Sequence, residues 1–197
     1  YEALEINIEE KNIISFVGGG GKTTSIYTLA KELSKLGKKV VVTTTTHMHM
    51  PEDFIDFKGN VNEIIERFKS ENLITVGIKD RDGKFVGGGE KIAEKLINLC
   101  DFLLIEADGA RMHPLKAPAN YEPVILKNTT MVVGVAGIDS LFKSINKICH
   151  RPEQVCKVLS KNYNHKINTK DIANILGSEE GQRKNVKDCF NAEYRAI

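Results

Sequence analysis

The seven residues Gly18-Gly19-Gly20-Gly21-Lys22-Thr23-Thr24 constrain this chain more than any other feature. They follow Ile13-Ile14-Ser15-Phe16-Val17, a short apolar run rich in β-branched residues that reads as a buried strand. After them Ile26, Leu29, Ala30, Leu33 and Leu36 recur at helical spacing, and Gly37 supplies the helix stop. Lys39-Val40-Val41-Val42-Thr43-Thr44 is the next strand. A strand, a glycine turn, a helix and a strand make a βαβ unit, which predicts an α/β fold with a mostly parallel sheet. Consecutive glycines let backbone N–H groups converge on phosphate oxygens without Cβ obstruction, and the helix N-terminus adds partial positive charge. In that frame Gly18, Gly19, Gly20, Gly21 and Thr24 form a phosphate cradle. Lys22 reaches the β- and γ-phosphates, and the Thr23 hydroxyl is placed to ligate Mg²⁺. The expected ligands are Mg²⁺ and ATP or GTP.

The loop departs from the full G-x-x-x-x-G-K-[ST] pattern, because position 16 is Phe16 rather than glycine. What stands here is the shorter G-x-x-G-K-T-T. Amide-forming ATP ligases of the Mur type carry such a shortened loop. The dimeric ParA-like ATPases carry a lysine at the second loop position, which here is Val17.

A phosphate loop needs a carboxylate at the end of a neighbouring strand to hold Mg²⁺ directly or through water. Phe102-Leu103-Leu104-Ile105 is a continuous apolar run, and Glu106 and Asp108 follow it at once. Asp108 is expected on the nucleotide side as the metal carboxylate. Glu106 is expected to ligate through water or to polarise an attacking water. Gly109 allows backbone approach to a γ-phosphate. Just downstream, Arg111 and Lys116 offer charge compensation in a phosphoryl-transfer transition state, or contacts to an anionic substrate.

The second strand runs into Thr43-Thr44-Thr45-Thr46-His47-Met48-His49-Met50. Ligands of doubly wound sheets bind beyond the carboxyl ends of strands. Thr45 is therefore a candidate for the nucleotide, and Thr46 and His47 for substrate. His47 and His49 share one face of an extended chain, a weak soft-metal pattern. The cysteines Cys100, Cys149, Cys156 and Cys189 form no C-x-x-C pair, so reduced thiols in a cytoplasmic protein are expected.

Over 197 residues the net charge is only +2, and there are no tryptophans, which argues against a polyanion or single-stranded nucleic-acid binder. No apolar run is long enough for a membrane span. Residues 1–138 are expected to form the nucleotide-binding core. Within it Asp80-Arg81-Asp82-Gly83 predicts a hairpin, and residues 51–89 an insertion or edge ribbon. Residues 139–197 are expected to form a helical C-terminal layer or subdomain, with Pro152 opening one helix. Residues 140–197 hold 11 Lys and Arg against 6 Asp and Glu, so this part is basic. The chain opens on Tyr1 rather than Met, and Tyr194-Arg195-Ala196-Ile197 reads as the approach to a strand, so truncation at that end is expected.

Taken together, Gly18–Thr24, Thr43-Thr44-Thr45-Thr46-His47-Met48, Glu106-Ala107-Asp108-Gly109-Ala110, Pro114-Leu115-Lys116-Ala117-Pro118 and Glu122-Pro123 resemble the selenium-dependent molybdenum hydroxylase accessory proteins of the YqeC type. Their order and spacing cover most of residues 13–137, and His150-Arg151-Pro152 and the Glu180-Gly181 region extend the match. The resemblance implies a P-loop NTPase-like three-layer fold in a bacterial cytoplasmic protein. It implies a role in maturing a selenium-containing molybdenum hydroxylase, with that enzyme or its cofactor machinery as partner. Three activities fit these residues: nucleotide hydrolysis, phosphotransfer or ligation on a small molecule, and a non-catalytic nucleotide switch.

Overall fold

A computed structural model describes residues 1–197. The chain has an α/β fold with a mostly parallel sheet, consistent with a P-loop NTPase-like three-layer fold. It forms two compact units, Tyr1–Ser15 with Thr23–Ala107, and Phe16–Lys22 with Asp108–Ile197.

Strand β1 (Asn12–Gly18) begins in the first unit, and helix α1 (Lys22–Lys35) follows the glycine loop. Ile26, Leu29, Ala30 and Leu33 form the buried stripe of α1, as their three-and-four spacing requires. Gly37, at φ 79°, ends the helix while Lys38 N–H donates to Leu33 O, the αL closure that glycine adopts without Cβ strain. Then come β2 (Val40–Thr44), β3 (Met48–His49), β4 (Phe54–Asp56), α2 (Asn62–Arg67), β5 (Leu73–Lys79), β6 (Lys84–Val86), α3 (Glu90–Ile97) and β7 (Phe102–Glu106). Strand β2 pairs in parallel with β7 on one side, from Val40↔Phe102 to Thr44↔Glu106. On its other side it pairs in parallel with β5, from Val40↔Leu73 to Val42↔Thr75. Every residue of β2 and β7 is buried, which is why both read as unbroken apolar runs ending in polar residues. The Asp80–Gly83 turn joins β5 to β6 antiparallel, and β6 pairs with β3. Strand β5 also pairs in parallel with β2 and β4, so the hairpin grows out of a core strand.

The second unit contains β8 (Leu115–Lys116), β9 (Met131–Val135), α4 (Ile145–Ile148), β10 (Cys149–His150), α5 (Pro152–Leu159), α6 (Thr169–Gly177) and β11 (Glu193–Ala196). Its core gathers Leu115, Ala117, Ile145, Ile148, Val155, Leu159, Ile167 and Ile175. Strands β8 and β10 form a two-stranded parallel ribbon with Lys116 opposite His150. Residues 139–197 are not all helical: Glu193–Ala196 pairs in parallel with β9, from Glu193↔Met131 to Ala196↔Gly134. Helix α6 starts with a full capping box. Asn168 Oδ1 accepts from Asp171 N–H, and Asp171 Oδ2 accepts from Asn168 N–H.

Replacing Asn168 with Ala removes one arm of that box. Urea denaturation should show a loss of about 1 kcal/mol, with the slope unchanged.

Candidate functional site

The glycine loop is shaped by what lies against it. A Cβ on Gly18 would stand 2.4 Å from Val135 O, and one on Gly19 would stand 2.0 Å from Pro114 O. Backbone fills the space where side chains would go, so these two positions exclude any other residue. Gly19 N–H donates to Val135 O (2.7 Å), and Gly20 N–H donates to Pro114 O (3.2 Å). The loop is thereby fixed to β9 and to the segment before β8. The first turn of α1 has N–H groups without intrahelical acceptors, the usual property of a helix start.

Lys22 is buried and turned back onto its own loop. Its Nζ donates to Gly18 O (2.6 Å) and Gly19 O (3.2 Å) and lies 3.1 Å from Asp108 Oδ1. Asp108 has no exposed surface. Both its oxygens accept from Gly18 N–H at 3.1 Å, and Oδ2 lies 3.0 Å from Lys116 Nζ. Lys116 is likewise fully buried, and also donates to Gly109 O (2.7 Å) and Glu122 Oε2 (2.8 Å). Glu122 Oε2 in turn accepts from Arg151 Nη1 (2.6 Å), while Arg151 Nη2 donates to the exposed Tyr121 hydroxyl (2.8 Å). The result is one chain of alternating charge, Lys22–Asp108–Lys116–Glu122–Arg151, running from the loop to the surface. Burial alone would raise the Glu122 carboxyl, but Lys116, by hydrogen bond and charge, and Arg151 hold it below the usual carboxylate range.

In the first unit, Thr23 Oγ1 donates to Glu106 Oε2 at 2.7 Å. A hydroxyl and a carboxylate in contact at the start of the helix are hard oxygen donors, the chemistry Mg²⁺ selects. Glu106 thus meets the loop threonine, and Asp108, two residues on, meets the loop backbone and two lysines. Thr44 Oγ1 donates to Glu106 O (2.7 Å), Thr45 N–H donates to the same carbonyl (3.0 Å), and Thr46 N–H donates to Thr44 Oγ1 (3.0 Å). The threonines tie the end of β2 to the residue that holds Thr23. Thr24 is exposed on the first turn of α1, Gly21 is exposed with φ 103°, and the space beside the Gly109 Cα is open.

His47 Nε2 lies 3.1 Å from Asp80 Oδ2 on an exposed surface. Met48 is buried while His49 is exposed, so the His-Met-His-Met segment does not present its donors together. No group of three or more His, Cys, Asp and Glu side chains is arranged to hold a metal ion. All four cysteines are free thiols, and burial pushes Cys100 and Cys149 up to about 12, which makes them poor nucleophiles. Arg111 is exposed and makes no hydrogen bond or ion pair.

The family described as YqeC protein matches residues 14–153. That span holds the glycine loop, Glu106, Asp108, Lys116, Glu122 and Arg151. This chain belongs to the YqeC family. It is similar to "Uncharacterized protein YqeC" of Escherichia coli (strain K12), 31% identical over 188 residues, with 88% of this chain and 71% of that protein covered. No helix of this YqeC-family chain is long and apolar enough to cross a membrane.

Sequence reasoning places Lys22, Thr23, Glu106, Asp108 and Lys116 in the site but omits Glu122 as a partner of Lys116 and Arg151 as the partner of Glu122. A charged residue reads as exposed unless its partner is known, and these partners lie 6 and 35 residues downstream of Lys116. Lys116→Met tests the chain of charge. Two buried carboxylates lose their shared cation, and denaturation should show a loss of about 3–5 kcal/mol. A loss under about 1 kcal/mol would show that Lys116 neutralises neither of them.

Proposed function

We propose that this protein binds ATP or GTP with Mg²⁺ at its glycine loop and hydrolyses it, as an accessory protein in maturing a selenium-dependent molybdenum hydroxylase. The observation that carries the nucleotide reading is the loop itself: two clash-bound glycines, a lysine held at the loop, and a threonine hydroxyl on a strand-end carboxylate. The accessory role and the hydroxylase or its cofactor machinery as partner rest on the family resemblance.

In this reading the helix N-terminus and the loop backbone take the phosphates. Lys22 leaves Gly18 O and Asp108 Oδ1 and moves its ammonium to the β- and γ-phosphate oxygens. Asp108 keeps Gly18 N–H and Lys116, so the loop retains its anchor while its lysine moves. Thr23 and Glu106 would hold Mg²⁺, which would supply charge neutralisation for the phosphate oxygens. Glu106 also fixes the Thr44–Thr46 turn through its carbonyl, so the metal carboxylate and the end of β2 are positioned together.

A second reading, phosphotransfer or ligation on a small molecule, is favoured by one observation. Arg111 is an exposed cation without a counter-ion, three residues after Asp108.

Calorimetric titration with non-hydrolysable ATP and GTP analogues tests the site. Lys22→Ala removes a charged hydrogen bond worth about 1.5–3 kcal/mol, so affinity should fall by about 10- to 100-fold. Glu106→Gln should remove most of the Mg²⁺ dependence of binding. Analogue affinity unchanged in Lys22→Ala would remove the loop from nucleotide binding.

A further inference from the structure

Beside the glycine loop stands a second cationic cluster that the nucleotide reading does not use. His113 precedes Pro114, whose carbonyl takes the Gly20 N–H. The His113 imidazole stacks on that of His150, with ring centroids 5.9 Å apart and planes at 23°. His150 stands opposite Lys116 in the β8–β10 ribbon, and Arg151 follows it directly.

The charged groups that act on His150 are Arg151, Lys116 and Arg111, three cations, against the single carboxylate Glu122. Lys116 is spent on Asp108 and Glu122, and Arg151 gives Nη1 to Glu122 and Nη2 to Tyr121. Arg111 has no partner of either kind. The backbone holds this cluster in an uncommon shape. Arg111, Met112 and Arg151 all adopt left-handed conformations, at φ 47°, 62° and 54°.

We propose that Arg111, His113, His150 and Arg151 form a second anion subsite, which takes the phosphate group of a small-molecule substrate beside the nucleotide phosphates. Arg111 and two imidazoles present planar donors, and Arg151, whose Nη groups are held by Glu122 and Tyr121, adds its charge beside them, a set suited to a tetrahedral dianion. Lys116 would give the subsite its floor and its link to the loop, since Asp108 joins Lys116 to Lys22. The role of the subsite rests on the nucleotide reading, and it specifies the acceptor that the phosphotransfer alternative requires.

In the free protein, burial first, and then the charges of Arg151, Lys116 and Arg111, hold His150 down at about 4, so its imidazole is neutral at pH 7. An anion among these cations reverses the balance and favours the protonated ring. The test is NMR titration of the five histidines of the full chain, with inorganic phosphate as the probe and sodium chloride at equal ionic strength as the control. Phosphate should raise the His150 pKa by about one unit or more. His47 and His165 should not respond. The rise should persist in Lys22→Ala and shrink by at least half in Arg111→Gln, an exposed position where folding is not at stake.

A rise equal in chloride and phosphate would overturn the subsite, and so would an undiminished rise in Arg111→Gln. Loss of the rise in Lys22→Ala would assign the anion to the nucleotide loop and also overturn it. Nucleotide analogues followed in parallel keep the two readings apart. A His150 response without Lys22-dependent nucleotide binding sinks the nucleotide reading alone. Lys22-dependent binding without a His150 response sinks the subsite alone.

Discussion

The Asp108 carboxylate is the interaction on which the rest of the site depends. It has no contact with solvent, and it is held by Gly18 N–H, Lys22 Nζ and Lys116 Nζ, all within 3.1 Å. A carboxylate removed from water is tolerated only when donors replace the lost hydration. Those donors fix three things at once. Gly18 N–H sets the entry to the loop, Lys22 is kept folded inward, and Lys116 is drawn into the interior. Lys116 in turn requires Glu122, and Glu122 requires Arg151. A buried charge chain of this sort contributes little net stability, but it tolerates few alternative geometries.

In the proposed function the same chain makes the loop a place where partners are exchanged. Lys22 has acceptors in the protein and, in the proposed function, acceptors on a nucleotide, and these compete for one ammonium. A ligand shifts such an equilibrium only by its differential affinity for the two arrangements. Asp108 can release Lys22 without being left alone, because Gly18 N–H and Lys116 remain. Along the same chain, the far end at Arg151 lies next to His150 and acts on it electrostatically. Occupation of the loop and the charge around His150 are therefore connected through two carboxylates and one buried lysine.

Much of the fold was legible in the residues. Val40–Thr44 and Phe102–Glu106 are buried along their whole length, so their apolar runs could be read as parallel strands without knowing their neighbours. The glycine loop was legible because strand, glycines, Lys-Thr-Thr and helix occur in the order that phosphate binding needs. Glu106 and Asp108 could be found, with Asp108 expected as the metal carboxylate, whereas the loop threonine lies on Glu106. Two acids separated by one residue look equivalent until Thr23 is seen on one and Gly18, Lys22 and Lys116 on the other. The C-terminal part was less legible. Tyr194–Ile197 reads as the approach to a strand, but Glu193–Ala196 carries two charged residues and no apolar alternation, so its bounds and neighbour come only from the parallel pairing with Met131–Gly134. Glu122 and Arg151 were invisible as site residues, since nothing local marks a charged side chain as buried or paired.

Whether the glycine loop takes phosphate by exchanging the partners of Lys22 is tested by a backbone-amide NMR titration of the ¹⁵N-labelled full chain. The ligands are Mg²⁺ with a non-hydrolysable ATP or GTP analogue. Saturable changes should be largest across Gly18–Thr24, with Asp108 and Gly109 moving on the same binding curve. Saturable binding that leaves Gly18–Thr24 unchanged while other residues shift would contradict it, as would the absence of any binding by the folded protein.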